Sequence, residues 1–183
     1  MRPPSSPSTT RPIRARAAHA ELRPVVTGTL RIRTVTRADA EPIVRMWSDF
    51  ARYLRELGDT DEQNFGVEAF LRDGFGPDPA FSGIIAERDG GAVGYLLYHF
   101  GYDSDQAMRI MYIVDLWVDP AARRGGVGRA LMGEAAARCR ARGGRELSWA
   151  VFPPNKLSVA FYEGLGARFY NTTKFMHIPA ADL

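Results

Sequence analysis

A short glycine-rich segment is the part of this sequence whose residue types and spacing most clearly indicate chemistry. It joins the apolar run at 112–118 to a helical pattern, and its residues are Arg123, Arg124, Gly125, Gly126, Val127, Gly128 and Arg129. Backbone N–H groups at the start of a helix are free to bind an anion, and glycines let a pyrophosphate approach the backbone closely. The spacing therefore predicts a phosphate-binding loop with three mobile arginines around it.

Two common nucleotide-binding motifs do not fit this segment. A dinucleotide fingerprint needs glycine where Leu131 stands, and the sequence contains no Gly-Lys-Ser or Gly-Lys-Thr for a P-loop. We therefore expect neither NAD nor ATP as the ligand.

A carboxylate lies in the strand that leads into the loop. Asp115 is the one acidic residue of the apolar run 112–118, where it could take a proton from a substrate, orient a substrate or order a neighbouring loop. The three histidines are scattered and show no pairing with each other or with a nucleophile motif, so a hydrolytic triad or a metal site is not expected.

The elements that must position these residues follow from hydrophobic periodicity and from glycine and proline turns. Residues 1–28 read as a disordered tail rich in arginine, proline and serine, and 29–183 as one domain. Helices are predicted at 38–57, 67–72, 126–142 and 156–165, and strands at 30–35, 82–88, 92–101, 109–118, 146–152 and 168–178.

Charge and composition exclude several classes of partner. The net charge is +3, but residues 1–24 hold five arginines and one glutamate, which leaves the rest of the chain with one net negative charge. We therefore do not expect a nucleic-acid partner. No apolar run reaches the roughly 18 residues of a membrane span. The first 20 residues lack the apolar stretch of a secretory signal, so we expect a cytoplasmic protein. The single cysteine, Cys139, cannot form an intramolecular disulfide, which is compatible with a reducing compartment.

The glycine-rich loop resembles the Arg-x-x-Gly-x-Gly pyrophosphate loop of the GNAT superfamily of N-acetyltransferases, through Arg123, Gly126 and Gly128. The resemblance extends over residues 30–178 and is closest to the diamine (spermidine/spermine) acetyltransferase branch. Further matches are Asp73-Gly74-Phe75-Gly76, Tyr112-Ile-Val-Asp115, and Asn155 with Ser158, Phe161, Tyr162, Gly166 and Ala167.

This resemblance implies an enzyme that transfers the acetyl group of acetyl-CoA, its co-substrate, to a primary amine of a small molecule by direct attack in a ternary complex. It implies a single mixed α/β (α+β) domain whose mostly antiparallel sheet has helices on both faces and is splayed where CoA enters. It also implies a homodimer and no metal. Open alternatives are acetylation of protein N-termini or lysines, and a non-catalytic CoA-binding regulatory module.

The resemblance also assigns site residues by position. Asp115 is the candidate base, and Tyr162 the general acid beside the thioester sulfur. The other positions would hold acetyl-CoA: the strand backbone at Leu116, Trp117 and Val118, the loop Arg123 to Arg129, and Asn155, Ser158 and Phe161.

Three departures from the branch bear on substrate and loop. The sequence has Val114 and Leu54 where the branch typically carries glutamates that face a polyamine, and Arg124 where the loop usually has glycine. The acidic residues Asp59, Asp61 and Glu62 are expected to be solvated. We therefore expect an acceptor with one positive charge, or one like an amino acid, in preference to spermidine or spermine.

Overall fold

The computed structural model describes residues 28–170 and 176–180. Five strands form one sheet, in the order β1 to β5. The strands are β1 (Arg31–Thr34), β2 (Ser82–Arg88), β3 (Gly91–Asp103), β4 (Met108–Val118) and β5 (Gly144–Ser148). The main helices are α1 (Ala40–Glu56), α2 (Val67–Phe75), α3 (Val127–Ala141) and α4 (Lys156–Glu163). Strands β1 to β4 pair antiparallel and β5 joins β4 in parallel, which confirms the predicted mixed, mostly antiparallel sheet.

Alternation along the strands builds a core on each face of the sheet. On one face, Tyr95 and Leu97 of β3 pack with residues of α1 and α2. On the other, Leu96 and Tyr98 pack with α3, and α4 lies against the same core. Helices therefore cover both faces, as predicted.

The first strand is tied to the start of α1 by a partly buried ion cluster around Arg33. Arg33 donates to both carboxylate oxygens of Asp39 at 2.7 Å and to Glu87 of β2. Asp39 also accepts from the backbone N–H and the hydroxyl of Thr36, the residue that precedes this helix start. The cluster joins β1, β2 and α1.

The strand β4 is irregular where it approaches the site. Leu97 lies opposite Asp115 but Tyr98 lies opposite Ile113, so Val114 is an extra, bulged residue. Pairing with β5 ends at Tyr112 and Ser148. Beyond that point β4 continues to Val118 without a partner on this edge, which is the splay that was expected.

The predicted final strand at 168–178 is wrong for the residues that the structure describes. Residues 168–170 and 176–178 have no strand conformation, and 171–175 lie outside the described residues. Phe169 and Tyr170 are largely exposed, so this stretch lacks the half-buried pattern of a strand. Strand β5 likewise ends at Ser148, short of the predicted 152, where its pairing with β4 ends.

Among the described residues, helices that combine the length and the apolarity needed to cross a bilayer are absent. The tail at 1–27 lies outside those residues.

Candidate active site

A cavity of about 380 Å³ lies in the gap that opens between β4 and the chain after β5. Its walls come from β4, the end of α1, the segment after α1, the segment after β5, and α4. Both candidate catalytic residues, Asp115 and Tyr162, line it, and so do the two departures Leu54 and Val114. The structure therefore brings together residues that are more than 100 positions apart in the sequence.

Asp115 follows the bulged Val114 on β4. Its side chain is largely withdrawn from water, and burial raises the pKa of this carboxyl from 3.8 to about 6. At neutral pH the group is mostly ionised, yet it binds a proton far more readily than an ordinary aspartate. A carboxylate with this pKa suits a general base near pH 7.

Tyr162 faces Asp115 from α4. Its ring packs against Trp149, with centroids 4.7 Å apart, and against Phe161, with centroids 5.2 Å apart. Burial, with a smaller contribution from the charge of Asp115, raises the pKa of Tyr162 to about 12. The phenol therefore stays protonated at neutral pH and acts as a hydrogen-bond donor towards the cavity.

The glycine-rich loop ends in a helix start with free donors. Gly126 caps α3 in the left-handed conformation, with φ of 80°, and its carbonyl accepts the first helical bond, from Ala130 N–H at 3.0 Å. The N–H groups at 127–129 precede that bond and have no carbonyl partner in the helix. This arrangement supports the predicted anion site.

Close packing joins the loop to α4. A Cβ on Gly128 would lie 3.0 Å from the Phe161 ring, so a larger residue at 128 would push the helix away. The Val127 side chain is buried in the core below. Phe161 thus holds α4 against the loop, a contact that places Tyr162 beside the same site.

The three arginines of the loop differ in their surroundings. Arg123 Nε donates to the Val118 carbonyl at 2.9 Å, and its guanidinium carbon lies 4.5 Å from the centre of the Trp117 ring. This corrects the expectation of a mobile cation, because the side chain is fixed by the strand end and the aromatic face. Arg124 and Arg129 are exposed, and Arg124 has a left-handed backbone with φ of 62°.

Asn155 is 4% exposed and lies at the start of α4. Its Oδ1 accepts from the Ser158 N–H and from the Tyr53 hydroxyl, both at 3.1 Å. The amide therefore caps α4 and connects it to α1, while the residue also lines the cavity with Ser158. Sequence reasoning missed Tyr53, since nothing in the pattern of α1 distinguishes an aromatic residue that reaches another helix.

The strand residues assigned to acetyl-CoA have different side-chain environments. Trp117 is 5% exposed, packs against Phe50 and Tyr53, and donates from Nε1 to Asp119 at 3.3 Å. Its side chain is a core residue, so only its backbone is available to a ligand. Leu116 lines the cavity.

The acidic segment after α1 contributes to the same cavity. Asp59 and Asp61 line it, whereas Glu62 is exposed and does not. The expectation that these residues are simply solvated therefore holds only in part. Within 28–170 and 176–180, no group of three or more histidine, cysteine or acidic side chains could hold a metal ion.

Comparisons with known proteins give a consistent result. A model of the family described as "Acetyltransferase (GNAT) family" matches residues 43–167. The chain is 32% identical over 145 residues to a thialysine N-epsilon-acetyltransferase of Sus scrofa, covering 75% of this chain and 83% of that protein. The enzyme of the same name from Mus musculus is 32% identical over 150 residues, covering 75% of this chain and 84% of the relative.

Solved structures show the same fold. An integron cassette protein from the mobile metagenome of V. cholerae superposes with a TM-score of 0.68 at 21% identity, covering 82% of this chain and 93% of that chain. At this identity the likeness concerns the fold alone.

Proposed function

The chain belongs to the acetyltransferase (GNAT) family and is an acetyl-CoA-dependent N-acetyltransferase, and we propose that its acceptor is a small-molecule primary amine with a single positive charge. The observation that carries this proposal is the joint lining of one cavity by Asp115, Tyr162, Leu54 and Val114. The first two provide groups for proton transfer. The last two are apolar where the acceptor must lie.

The residues present fit acetyl-CoA, which when bound supplies an activated acyl thioester. The free N–H groups at 127–129 and the exposed Arg124 and Arg129 surround the place for a pyrophosphate. The edge of β4 beyond Tyr112 offers backbone donors to a thioester oxygen, as an oxyanion hole does. We propose that Asn155 and Ser158 hold the pantetheine arm.

Two protons leave the acceptor nitrogen during acetylation, and the cavity has a group for each. Asp115 takes the proton of the incoming ammonium. Tyr162 gives its proton to the departing sulfur, and the second proton from nitrogen restores the phenol. The enzyme thus ends the transfer with Asp115 protonated and Tyr162 unchanged, and Asp115 then releases its proton to solvent.

The proton transfer from the acceptor ammonium to Asp115 is unfavourable unless the cavity changes their pKa values. An alkylammonium of pKa about 10 and a carboxyl of pKa about 6 differ by roughly 5 kcal/mol in proton affinity. The apolar walls at Leu54 and Val114 reduce this gap, because burial lowers the pKa of an ammonium as it raises that of a carboxyl. An apolar lining therefore favours the neutral amine that attacks the thioester.

The same walls set the proposed charge preference. A polyamine needs an anion for each distal ammonium, and a charge-assisted contact contributes about 1.5–3 kcal/mol. Asp59 and Asp61 line the cavity, but Asp61 is exposed, and exposed pairs contribute only about 0–1 kcal/mol. We therefore propose an acceptor with one positive charge, or one like an amino acid, in preference to a polyamine.

The test compares kcat/KM values, with activity monitored as release of the CoA thiol. The acceptors compared are monoamines, amino acids with a side-chain amine, a diamine, spermidine and a lysine-bearing peptide. The double variant Leu54→Glu and Val114→Glu should shift preference towards spermidine by tenfold or more. Leu157→Glu, which adds a charge on α4 at a half-exposed position outside the cavity, should not.

The outcomes separate the alternatives. Spermidine as the best substrate of the unchanged protein contradicts the charge argument, and the peptide as the best substrate favours a protein acetyltransferase. A failure to release thiol with every acceptor favours a CoA-binding regulatory module.

We further propose a cytoplasmic homodimer. An open groove of about 650 Å³ runs along β5, the segment after it and α4, and its apolar lining includes Leu147, Val151, Val159 and Phe169. Apolar surface of this kind favours association with a second copy. Sedimentation equilibrium of the purified protein tests the dimer directly.

A further inference from the structure

Tyr95 of β3 carries a hydroxyl for which the core provides no partner. The residue is 0% exposed, and its hydroxyl makes no hydrogen bond within the part of the chain that the structure describes. The side chains clustered with it, among them Ile43, Met46 and Phe70, are apolar. Since an unsatisfied buried hydroxyl destabilises a fold, a phenylalanine would stabilise this core better unless the hydroxyl has a function.

The strand register indicates what that task is. Tyr95 lies opposite Trp117, and Leu97 lies opposite Asp115. Tyr95 and Asp115 are therefore diagonal neighbours on one face of the sheet, a separation of about 7–8 Å that an aromatic side chain spans. The charge of Asp115 also reaches Tyr95, since together with burial it raises the pKa of this phenol well above its usual value. The hydroxyl is thus a permanent donor at neutral pH.

We propose that Tyr95 is a positioning residue for Asp115. The Tyr95 hydroxyl donates to the Asp115 carboxylate from the core side, through one bound water. A direct bond is not made, and a bridging water satisfies both groups at little cost. The water ties one carboxylate oxygen to β3 and leaves the other facing the acceptor. The proposal rests on the proposed role of Asp115 as the base.

The other groups around Asp115 act in different ways. From α4, the Tyr162 phenol lies close enough for the charge of Asp115 to contribute to its raised pKa. The segment after α1 adds the carboxylates of Asp59 and Asp61 to the cavity lining, and α1 itself adds the apolar Phe50 and Leu54. A donor to the ionised carboxylate lowers its pKa, so loss of the Tyr95 hydroxyl should raise it.

The test compares Tyr95→Phe with Tyr98→Phe. The Tyr98 hydroxyl lies on the opposite face of β3, 3.4 Å from Arg138 Nη1, so this control removes a buried phenol that does not face Asp115. The first readout is a ¹³C titration of aspartate carboxyl carbons in the protein without substrates, with the Asp115 resonance identified by its absence in Asp115→Asn. The second is the pH dependence of kcat/KM.

We expect the pKa of Asp115 to rise by about half a unit to one unit in Tyr95→Phe and to stay constant in Tyr98→Phe. The kcat/KM of Tyr95→Phe should fall several-fold at pH 6 and approach that of the unchanged enzyme above pH 8. An unchanged Asp115 titration in Tyr95→Phe overturns the proposal. A higher Tm of this variant at pH 7 also overturns it, because it would show that the Tyr95 hydroxyl has no partner in the unchanged protein. A shifted titration with an unmoved rate profile supports the Tyr95 contact and contradicts the base role.

Discussion

Burial moves the pKa values of Asp115 and Tyr162 upwards, to about 6 and about 12, and leaves them with opposite tasks at neutral pH. The carboxyl is ionised but accepts a proton readily. The phenol is protonated and can only donate. One physical cause, the exclusion of water from the same cavity, thus prepares both an acceptor and a donor of protons.

The role of the donor can be tested by removing one atom. Tyr162→Phe keeps the ring contacts with Trp149 and Phe161, so the fold and the KM for acetyl-CoA should change little. We expect kcat to fall by about 100-fold or more, the scale of a lost general acid. Steady-state and single-turnover kinetics together give the chemical step.

Tyr170→Phe is the matched control, because this tyrosine is exposed and lies outside the cavity. If the rate of the chemical step in Tyr162→Phe equals that in Tyr170→Phe, Tyr162 is a packing residue and not the general acid.

For individual residues, the sequence predicts which residue types lie near the loop but not which groups they contact. Resemblance placed Asp115 and Tyr162 together, and both line one cavity. The contacts of Tyr53 and Tyr95 could not be predicted, since an aromatic residue in an apolar run has the same pattern whatever its hydroxyl meets. Arg123 packs on Trp117 for a similar reason, because a cation and an aromatic six positions apart meet only once the loop is folded.

Among the elements, the loop before α3 holds two residues with positive φ in close succession. Gly126 adopts this conformation easily, but Arg124 adopts it at φ of 62°, where a side chain costs about 1–2 kcal/mol. Arg124→Gly should therefore raise the free energy of unfolding by up to about 1 kcal/mol, after allowing for the added freedom of glycine in the unfolded chain. Urea unfolding measures the change.

Gly126→Ala makes the opposite change, because it adds a side chain at a position with positive φ. No atom lies within 4 Å of the Cβ that it adds, so its effect is backbone strain alone. It should destabilise the protein by about 1 kcal/mol and raise the KM for acetyl-CoA, with little effect on the KM for the amine. A less stable Arg124→Gly variant would show that the Arg124 side chain makes a compensating contact.

The elements themselves were largely predictable, because periodicity reports which face of a helix or strand is buried. The predicted strands at 82–88 and 92–101 are joined by a tight turn at Asp89 and Gly90, both of which have positive φ. Strand ends were not predictable where they depend on pairing. β5 stops where β4 leaves it, and the predicted strand at 168–178 has no regular pairing in its described residues.

For the molecule as a whole, the Arg33 cluster links acid stability to the edge of the sheet. Hydrogen bonds from Arg33 hold the pKa of Asp39 at about 2, below its usual 3.8. A lowered carboxyl pKa stabilises the fold above pH 4, and this contribution is lost as the pH falls through 2. The shift corresponds to about 2 kcal/mol.

Asp39→Asn should therefore lower the free energy of unfolding by about 2 kcal/mol at pH 7 and flatten its decline between pH 4 and pH 2. Asp49→Asn, which removes a carboxylate from ion pairs with the exposed Arg45 and Arg52, should change it by less than about 1 kcal/mol. Denaturant titrations across this pH range measure both. Equal decreases in the free energy of unfolding of the two variants at pH 7 would show that the Arg33 cluster stabilises the fold no more than an exposed ion pair.

The edge of β4 beyond Tyr112, where pairing with β5 has ended, is a binding surface that only the folded chain provides. A ligand that bonds to this edge binds only the folded chain, and at a hundred times its Kd it adds about 2.7 kcal/mol of stability. Since unfolded molecules are the ones that cellular proteases remove, we expect degradation to be slow when acetyl-CoA is plentiful and fast when the pool is depleted. The abundance of the enzyme would then follow the supply of its own co-substrate, without a transcriptional signal.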